Sequence, residues 1–350
     1  MKITKLLLNL FVILFFLGSA AAPGAGATLT VDDSGDASYT TIQEAIDNAE
    51  DGDTILVYPG IYAENVEVYK ELSIVSESGE SENTFIISNS PEADVLYVVA
   101  DNVTIEGFSV LGLLSDTGSI SDADWPDVLA GVFIDGAEGC RVSNSTFISN
   151  DVGIFLQEAD NTVLYNNVLT LNYWDGIDLI DSSNCVLSGN VVARNDWGIH
   201  IEGSVDNVLL NNIISACTNK GLTLLECSNS TLENNMISGS ELGIYFEGSD
   251  SNIMSNSTVE WNYEGIFLSN STENLFYGNE FANDVNAVDY GTNSWNTTVG
   301  NSWSDYAGED ADGDGIGDTP YVINESTESI DYLPITGLPV SDLLPGNNLT

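Results

Sequence analysis

Positive charge is scarce in this chain. Its 350 residues carry 6 Lys and Arg against 54 Asp and Glu, a formal charge of −48, with a single His. A nucleic-acid partner requires a cationic surface, so that class is excluded, and adhesion to anionic lipid is disfavoured for the same reason. An excess of one sign repels itself unless salt or bound cations screen it, which points to a salt-rich or Ca²⁺-containing exterior. Soft metal donors are few, with 4 Cys and 3 Met. After the first residues no apolar run has the length of a membrane span.

The exception at the start has its own meaning. Lys2 and Lys5 precede an apolar run from Leu6 to Leu17, and Ala25-Gly26-Ala27 forms an A-x-A cleavage pattern. Residues 1–27 are therefore expected to be a secretory signal peptide. The mature chain would be secreted or held at the cell surface. Eight N-x-S/T sequons, at Asn102, Asn144, Asn229, Asn256, Asn270, Asn296, Asn324 and Asn348, suit an exported chain.

The remainder repeats itself. Gly131, Gly153, Gly176, Gly198, Gly221, Gly243 and Gly265 each open a G-[IVL]-x-[LIF] unit, and Ala287 continues the series in "AVDY". A second column holds the same period near 22: Ser145, Asn167, Asn190, Asn212, Asn235, Ser257, Asn279 and Asn301. That period admits three short strands and three turns but is too short for a helix pair. The expected fold is all-β, a right-handed single-stranded parallel β-helix of roughly 22-residue coils. In G-I-x-L the Ile and Leu would face the core while x faces solvent, and Gly would make a tight bend. The Asn column would stack as a structural amide ladder, with Asn167, Asn190, Asn212, Asn235 and Asn279 as its members.

Register bears on the thiols too. Cys140 and Cys185 share a column two coils apart with Thr162 between them, about 9 to 10 Å and beyond disulfide reach. Cys217 and Cys227 lie within one coil and stay open; buried free thiols are expected for all four. "TTIQEAIDNA" begins with a Thr-x-x-Glu capping box and predicts a helix over 41–49 that plugs the N-terminal end. One β-helix is expected over 28–332, followed by a tail or linker over 333–350. Only one coil breaks the period, by a long loop of about 114–129 that carries Trp125.

The outward column reads Phe133, Phe155, Asp178, His200, Thr223, Tyr245, Phe267 and Asp289, with Glu202 two positions on from His200 and Asp175 close by. Sugar rings stack on aromatic faces, and their hydroxyls seek carboxylates. Trp125, Phe133, Phe155, Asp175, Glu202, Tyr245 and Phe267 are thus candidate substrate-binding residues. Asp178 beside His200 is a candidate acid–base pair. In the C-terminal acidic segment over 308–320, "DADGDGIGD" places Asp310, Asp312, Asp314 and Asp318 as in the start of a Ca²⁺ loop, but Tyr321 replaces the closing Glu.

"YTTIQEAIDNAEDGDTILVYPGIYAENVEVYKELSIV" resembles the opening of pectin-lyase-like β-helix proteins. The G-I-x-L coils with Asn turns resemble the NosD-like family and the repeats of carbohydrate-binding and sugar-hydrolysis proteins. "NSWSDYAGEDADGDGIGDTPYVI" resembles the end of this domain in surface proteins of methanogenic archaea. The resemblance implies the fold, and a range of activities from lyases, hydrolases and epimerases to scaffolds. It also brings in copper-site maturation, for which one His and two mature-chain Met supply few ligands. The D-F-I-F-G strand of pectin methylesterases is absent, as are the Asp-Asp and Gly-His-Gly coils of polygalacturonases. The expected function is carbohydrate binding or envelope scaffolding without turnover, the partner being a polysaccharide or cell-envelope glycan. The alternative is a lyase, hydrolase or epimerase acting on an acidic polysaccharide, with Ca²⁺ as a helper.

Overall fold

The computed structural model describes residues 26–113 and 128–336. Nearly all of the signal segment, the stretch of the long loop that carries Trp125, and the tail beyond 336 lie outside them. Each coil lays strands into three parallel sheets of 11, 10 and 11 strands, where each strand inside a sheet pairs with its equivalents one coil before and after. This is a parallel β-helix, as the two columns of the sequence require.

The longest strands, six residues each from Ala130–Asp135 to Glu264–Ser269, build the second sheet. Their register stacks Val132, Ile154, Ile177, Ile199, Leu222, Ile244 and Ile266 directly on one another, all fully buried. Each such side chain contributes about 1.5–3 kcal/mol of transfer free energy. Parallel pairing makes that contribution repeat, because the same apolar column recurs in every coil.

The Asn column lies buried at a corner and hydrogen-bonds along the stack. The backbone N–H of Asn167 donates to Asn190 Oδ1 at 3.0 Å, that of Asn190 to Asn212 Oδ1 at 3.0 Å, and that of Asn212 to Asn235 Oδ1 at 2.9 Å. The run passes through Ser257 and Asn279 to Asn301, whose N–H ends on Asp331 Oδ2 at 2.7 Å. A carboxylate closes the ladder. A corner has no strand neighbour for its amides, so the side chains supply the missing acceptors.

A second ladder, not read from the sequence, runs through Asn150, Asn172 and Asn195 and resumes at Ser240, Asn262 and Asn283. Its signal was present. These residues sit three or four positions before the repeat Gly, where the period wavers between 22 and 23, so they fall out of a strictly aligned column.

Two positions differ from expectation. The repeat Gly residues lie inside strands rather than at a tight bend, as Gly131 and Gly153 do, and they are needed because the chain is close there. A Cβ on Gly131 would lie 2.7 Å from Gly153 O and 2.8 Å from Phe147 Cδ1. In the last coil Phe267 pairs with Val288 and Leu268 with Asp289, one residue out of the expected register. That slip turns Asp289 from the outer face to the core, since side chains alternate along a strand. There its carboxylate accepts from Gly291 N, Asn293 Nδ2, Trp295 Nε1 and Ser329 Oγ.

Both ends are closed. Helix α1 (Ile42–Asn48) buries Ile42, Ala45 and Ile46, and its N-cap Thr41 accepts from Glu44 N at 3.2 Å. The next coil grips both helix ends. Glu64 accepts from the N–H groups of Ile42 and Gln43, while Lys70 donates to the carbonyls of Ile46, Asp47 and Ala49. The charges match the polarity of the helix ends. At the other end Phe276 stacks on Trp295 at 4.4 Å and Phe281 on Trp303 at 4.7 Å, and Trp303 stacks on Tyr321 at 4.2 Å. All four cysteines are free and buried.

Candidate functional site

The outer face of the second sheet carries the variable column. Parallel register brings Tyr97, Phe133 and Phe155 together at one end, and Tyr245 and Phe267 at the other. Phe133 and Phe155 are stacked at 4.7 Å between centroids, and Tyr245 and Phe267 lie at 5.9 Å. All five are partly exposed, and Tyr290, 62% exposed, extends the second group edge-on to Phe267. The two tyrosines are tied to the next outward column. Tyr97 donates to Asp135 at 2.7 Å and Tyr245 to Glu247 at 2.6 Å. Both phenols are pushed up to about 12, Tyr97 by that hydrogen bond and then burial, Tyr245 by burial and then Glu247.

Between these groups the column turns polar and sinks from solvent. Asp178 is 0% exposed, His200 1% and Thr223 1%. Asp178 and His200 are direct register partners, with His200 Nδ1 at 3.1 Å from Asp178 Oδ1. Asp175, three residues before Asp178 on the same strand, is 2% exposed and completes a group whose donor atoms all lie within 4.8 Å of one another. Its carboxyl is raised well above the usual range, first by burial and then by the charges of Asp178 and Asp196. Glu202 is exposed, 3.8 Å from His200 Nε2. The structure thus brings Asp175, Asp178 and His200 together, with Glu202 at the rim. Trp125 lies outside the described residues.

Lys220, one coil beyond His200, holds its ammonium 4.4 Å above both the Trp197 and the Tyr245 rings. Burial lowers its pKa, against the pull of Glu247. Trp197 in turn stands edge-on to His200 at 5.2 Å. Beside this strip an open groove of about 430 Å³ is lined by Tyr173, Trp174, Arg194, Asp196 and the second-ladder residues Asn172 and Asn195. Tyr173 and Trp174 lie in a turn rather than a repeated column, so the column pattern does not single them out.

The acidic turn is a separate feature. Asp310, Asp312 and Asp314 place carboxylate oxygens within 4.8 Å of one another. Asp318 lies outside that group and accepts from Ala311 N at 2.8 Å. Asp310 accepts from Gly313 N, Gly315 N and Thr336 Oγ1. Burial works against its ionisation, but the bonds from Thr336 and the three backbone N–H groups hold its carboxyl below the usual range.

Fold and surface define a β-helix of the pectin-lyase-like kind with a decorated outer sheet. The chain belongs to the family described as periplasmic copper-binding protein (NosD), whose model matches residues 46–210 and 172–308. It is also similar to a cell surface glycoprotein of Methanothermus fervidus, 31% identical over 147 residues, which are 41% of this chain and 21% of that protein. The matched stretch spans about a fifth of that relative's length. Among solved structures, the polygalacturonase of Erwinia carotovora aligns with a TM-score of 0.57 at 13% identity, over 82% of this chain and 97% of that one. A mannuronan C-5 epimerase A-module of Azotobacter vinelandii aligns at 0.52 and 15%, over 75% and 87%. At such identities these likenesses concern the fold.

Copper is what the family description brings, and the donors found here do not suit it. The four thiols are buried and raised to about 11 or 12, chiefly by burial, so they stay protonated. Cys227 Sγ is already directed to the carbonyls of Ile201 and Leu225. Met254 lies in the core, Met236 stands exposed, and there is one imidazole. Among the described residues no thiolate, thioether or multi-imidazole copper site is assembled.

Proposed function

We propose that this is a cell-surface protein that binds glycan along the outer face of its second sheet without turning it over. The observation that carries the reading is the pair of half-exposed aromatic groups in one column, Phe133 with Phe155 and Tyr245 with Phe267, set along one face of the sheet. Sugar rings bind such faces by stacking. The groove with Tyr173, Trp174 and Arg194 adds a second place for a sugar, and the exposed Glu202 lies along the strip, whereas Asp175 is buried beneath it. With a formal charge of −48, a neutral glycan meets less repulsion than a polyuronate. The named relative from Methanothermus fervidus supports a place at the cell surface. Ca²⁺ among Asp310, Asp312 and Asp314 would stiffen the C-terminal turn.

Affinity electrophoresis of the folded protein in gels containing a panel of polysaccharides tests this. Retardation by at least one glycan, lost in a Phe155→Ala/Phe267→Ala variant, is expected; migration unaffected by every glycan would sink the reading. The enzymatic alternative rests on the 3.1 Å approach of Asp178 and His200. Their near-zero exposure counts against it, because a general acid must reach the glycosidic oxygen. Release of reducing ends or unsaturated uronates that stops in Asp178→Asn would replace binding with catalysis.

A further inference from the structure

Two kinds of buried carboxylate coexist in this molecule. Asp289, 0% exposed, accepts four hydrogen bonds, from Gly291, Asn293, Trp295 and Ser329. Asp331, also 0% exposed, accepts from Asn301, Trp303 and Leu333. Both are satisfied. Asp178 is equally buried, yet neither of its oxygens accepts a hydrogen bond among the described residues. Its near neighbours are the imidazole of His200 and a second buried carboxylate, Asp175.

A buried carboxylate that faces an imidazole at 3.1 Å but accepts no backbone or hydroxyl hydrogen bond among the described residues is short of donors, which costs several kcal/mol, and a second carboxylate beside it costs more. Nothing in the backbone demands it, since the same register position is filled by Phe in the two preceding coils. A cation set among the three side chains removes the conflict. We propose that Asp175, Asp178 and His200 bind one divalent transition-metal cation of the Zn²⁺ or Mn²⁺ class.

The donor chemistry selects that class. Two carboxylates balance a double positive charge, and their atoms lie within 4.8 Å of one another and of an imidazole nitrogen, so side-chain rotation that draws them together would bring all three to within about 2.0–2.2 Å of a shared centre. An imidazole ligand argues against Ca²⁺ and Mg²⁺, which prefer oxygen throughout. The lack of thiolate or thioether argues against Cu(I). The strands Asp175–Ile180 and Trp197–Glu202 hold the ligands on adjacent, hydrogen-bonded rungs, so the site is built on paired strands rather than on loops. The inference stands apart from glycan binding.

The single His of the chain makes a direct test available. Full-length protein labelled with ¹⁵N in histidine is stripped with chelator, and Zn²⁺ is added to one equivalent. The imidazole resonances are expected to move to a new position that saturates at one equivalent, and substoichiometric Mn²⁺ is expected to broaden them. Imidazole signals unmoved by both ions would overturn the proposal. Equilibrium dialysis with Zn²⁺ locates the ion independently. Asp178→Asn and His200→Gln should each weaken binding at least tenfold, whereas Asp310→Asn/Asp312→Asn should leave one equivalent bound. The reverse pattern assigns the ion to the acidic turn and ends the proposal. If a variant does not fold, the wild-type imidazole spectra decide alone.

Discussion

One column on one sheet holds two different solutions to the same position. In the coils of Phe133 and Phe155, the outward side chains stack on each other at 4.7 Å and remain partly open to water. In the next two coils, with the same strand length and unbroken register, Asp178 and His200 are polar and shut away from solvent. The backbone is not what differs. Stacked aromatics support themselves, each pair worth about 0.5–1.5 kcal/mol beyond its buried area. A buried carboxylate–imidazole pair is often no better than an apolar replacement of the same volume. Folding alone would be served by continuing the Phe column, so the polar rungs answer to something other than the fold, which is where local rules tend to be broken.

The contrast breaks most visibly in stability measured by urea unfolding in chelator. His200→Ala leaves Asp178 buried beside Asp175 with its imidazole gone, and the expected loss is about 3–5 kcal/mol. Asp178→Phe/His200→Phe carries the aromatic column through the gap; it should fold and be as stable as the wild type or up to about 4 kcal/mol more so. A double variant that is less stable than His200→Ala would show that the polar pair belongs to the fold after all.

A pH series sharpens the same point. Asp175 faces Asp178, Asp196, His200 and Cys217, and burial raises its carboxyl well above the unfolded value of 3.8. Its protonated form is the one the folded chain prefers, so its contribution is whole below about pH 4 and is lost as the pH climbs through the raised value. Chelated wild type should therefore lose stability as pH rises above about 4, and Asp175→Asn should flatten that slope. An unchanged slope in Asp175→Asn would mean that other groups carry it.

Much of this was legible from sequence because a parallel β-helix is its own alignment. Gly153 and Gly176, or Asn190 and Asn212, fall on the same spot of successive coils, so the core column, the corner amides and the separation of Cys140 from Cys185 follow from counting. Counting failed where the period changes. The second ladder through Asn172 and Asn195 sits where coils gain a residue, and the last coil slips by one, which sent Asp289 inward. The C-terminal plug of Trp295 and Trp303 lies beyond the repeats and has no column to reveal it. Burial was the other blind spot. The column placed Asp178 and His200 on the outer face, but only the packed neighbours, Trp197 among them, determine that an outward side chain can still be hidden.

The smallest effect separates the two reasons for the aromatic rungs. Phe155→Leu keeps an apolar side chain in the column but removes one face of the stack with Phe133. The lost ring contact should cost about 0.5–1.5 kcal/mol, near the limit of an unfolding measurement. Glycan retention is a finer probe, because a sugar needs the flat ring face and Leu offers none. If the rungs serve the ligand, retention should drop at least tenfold while stability hardly moves. If they serve only the sheet, retention and stability should fall together and by little. Ile154→Leu, at a fully buried side chain one residue away, would shift stability because the moved branch no longer fits between its neighbours in the core, and would leave retention alone. The distance between those two responses measures how far the outer face has been released from folding.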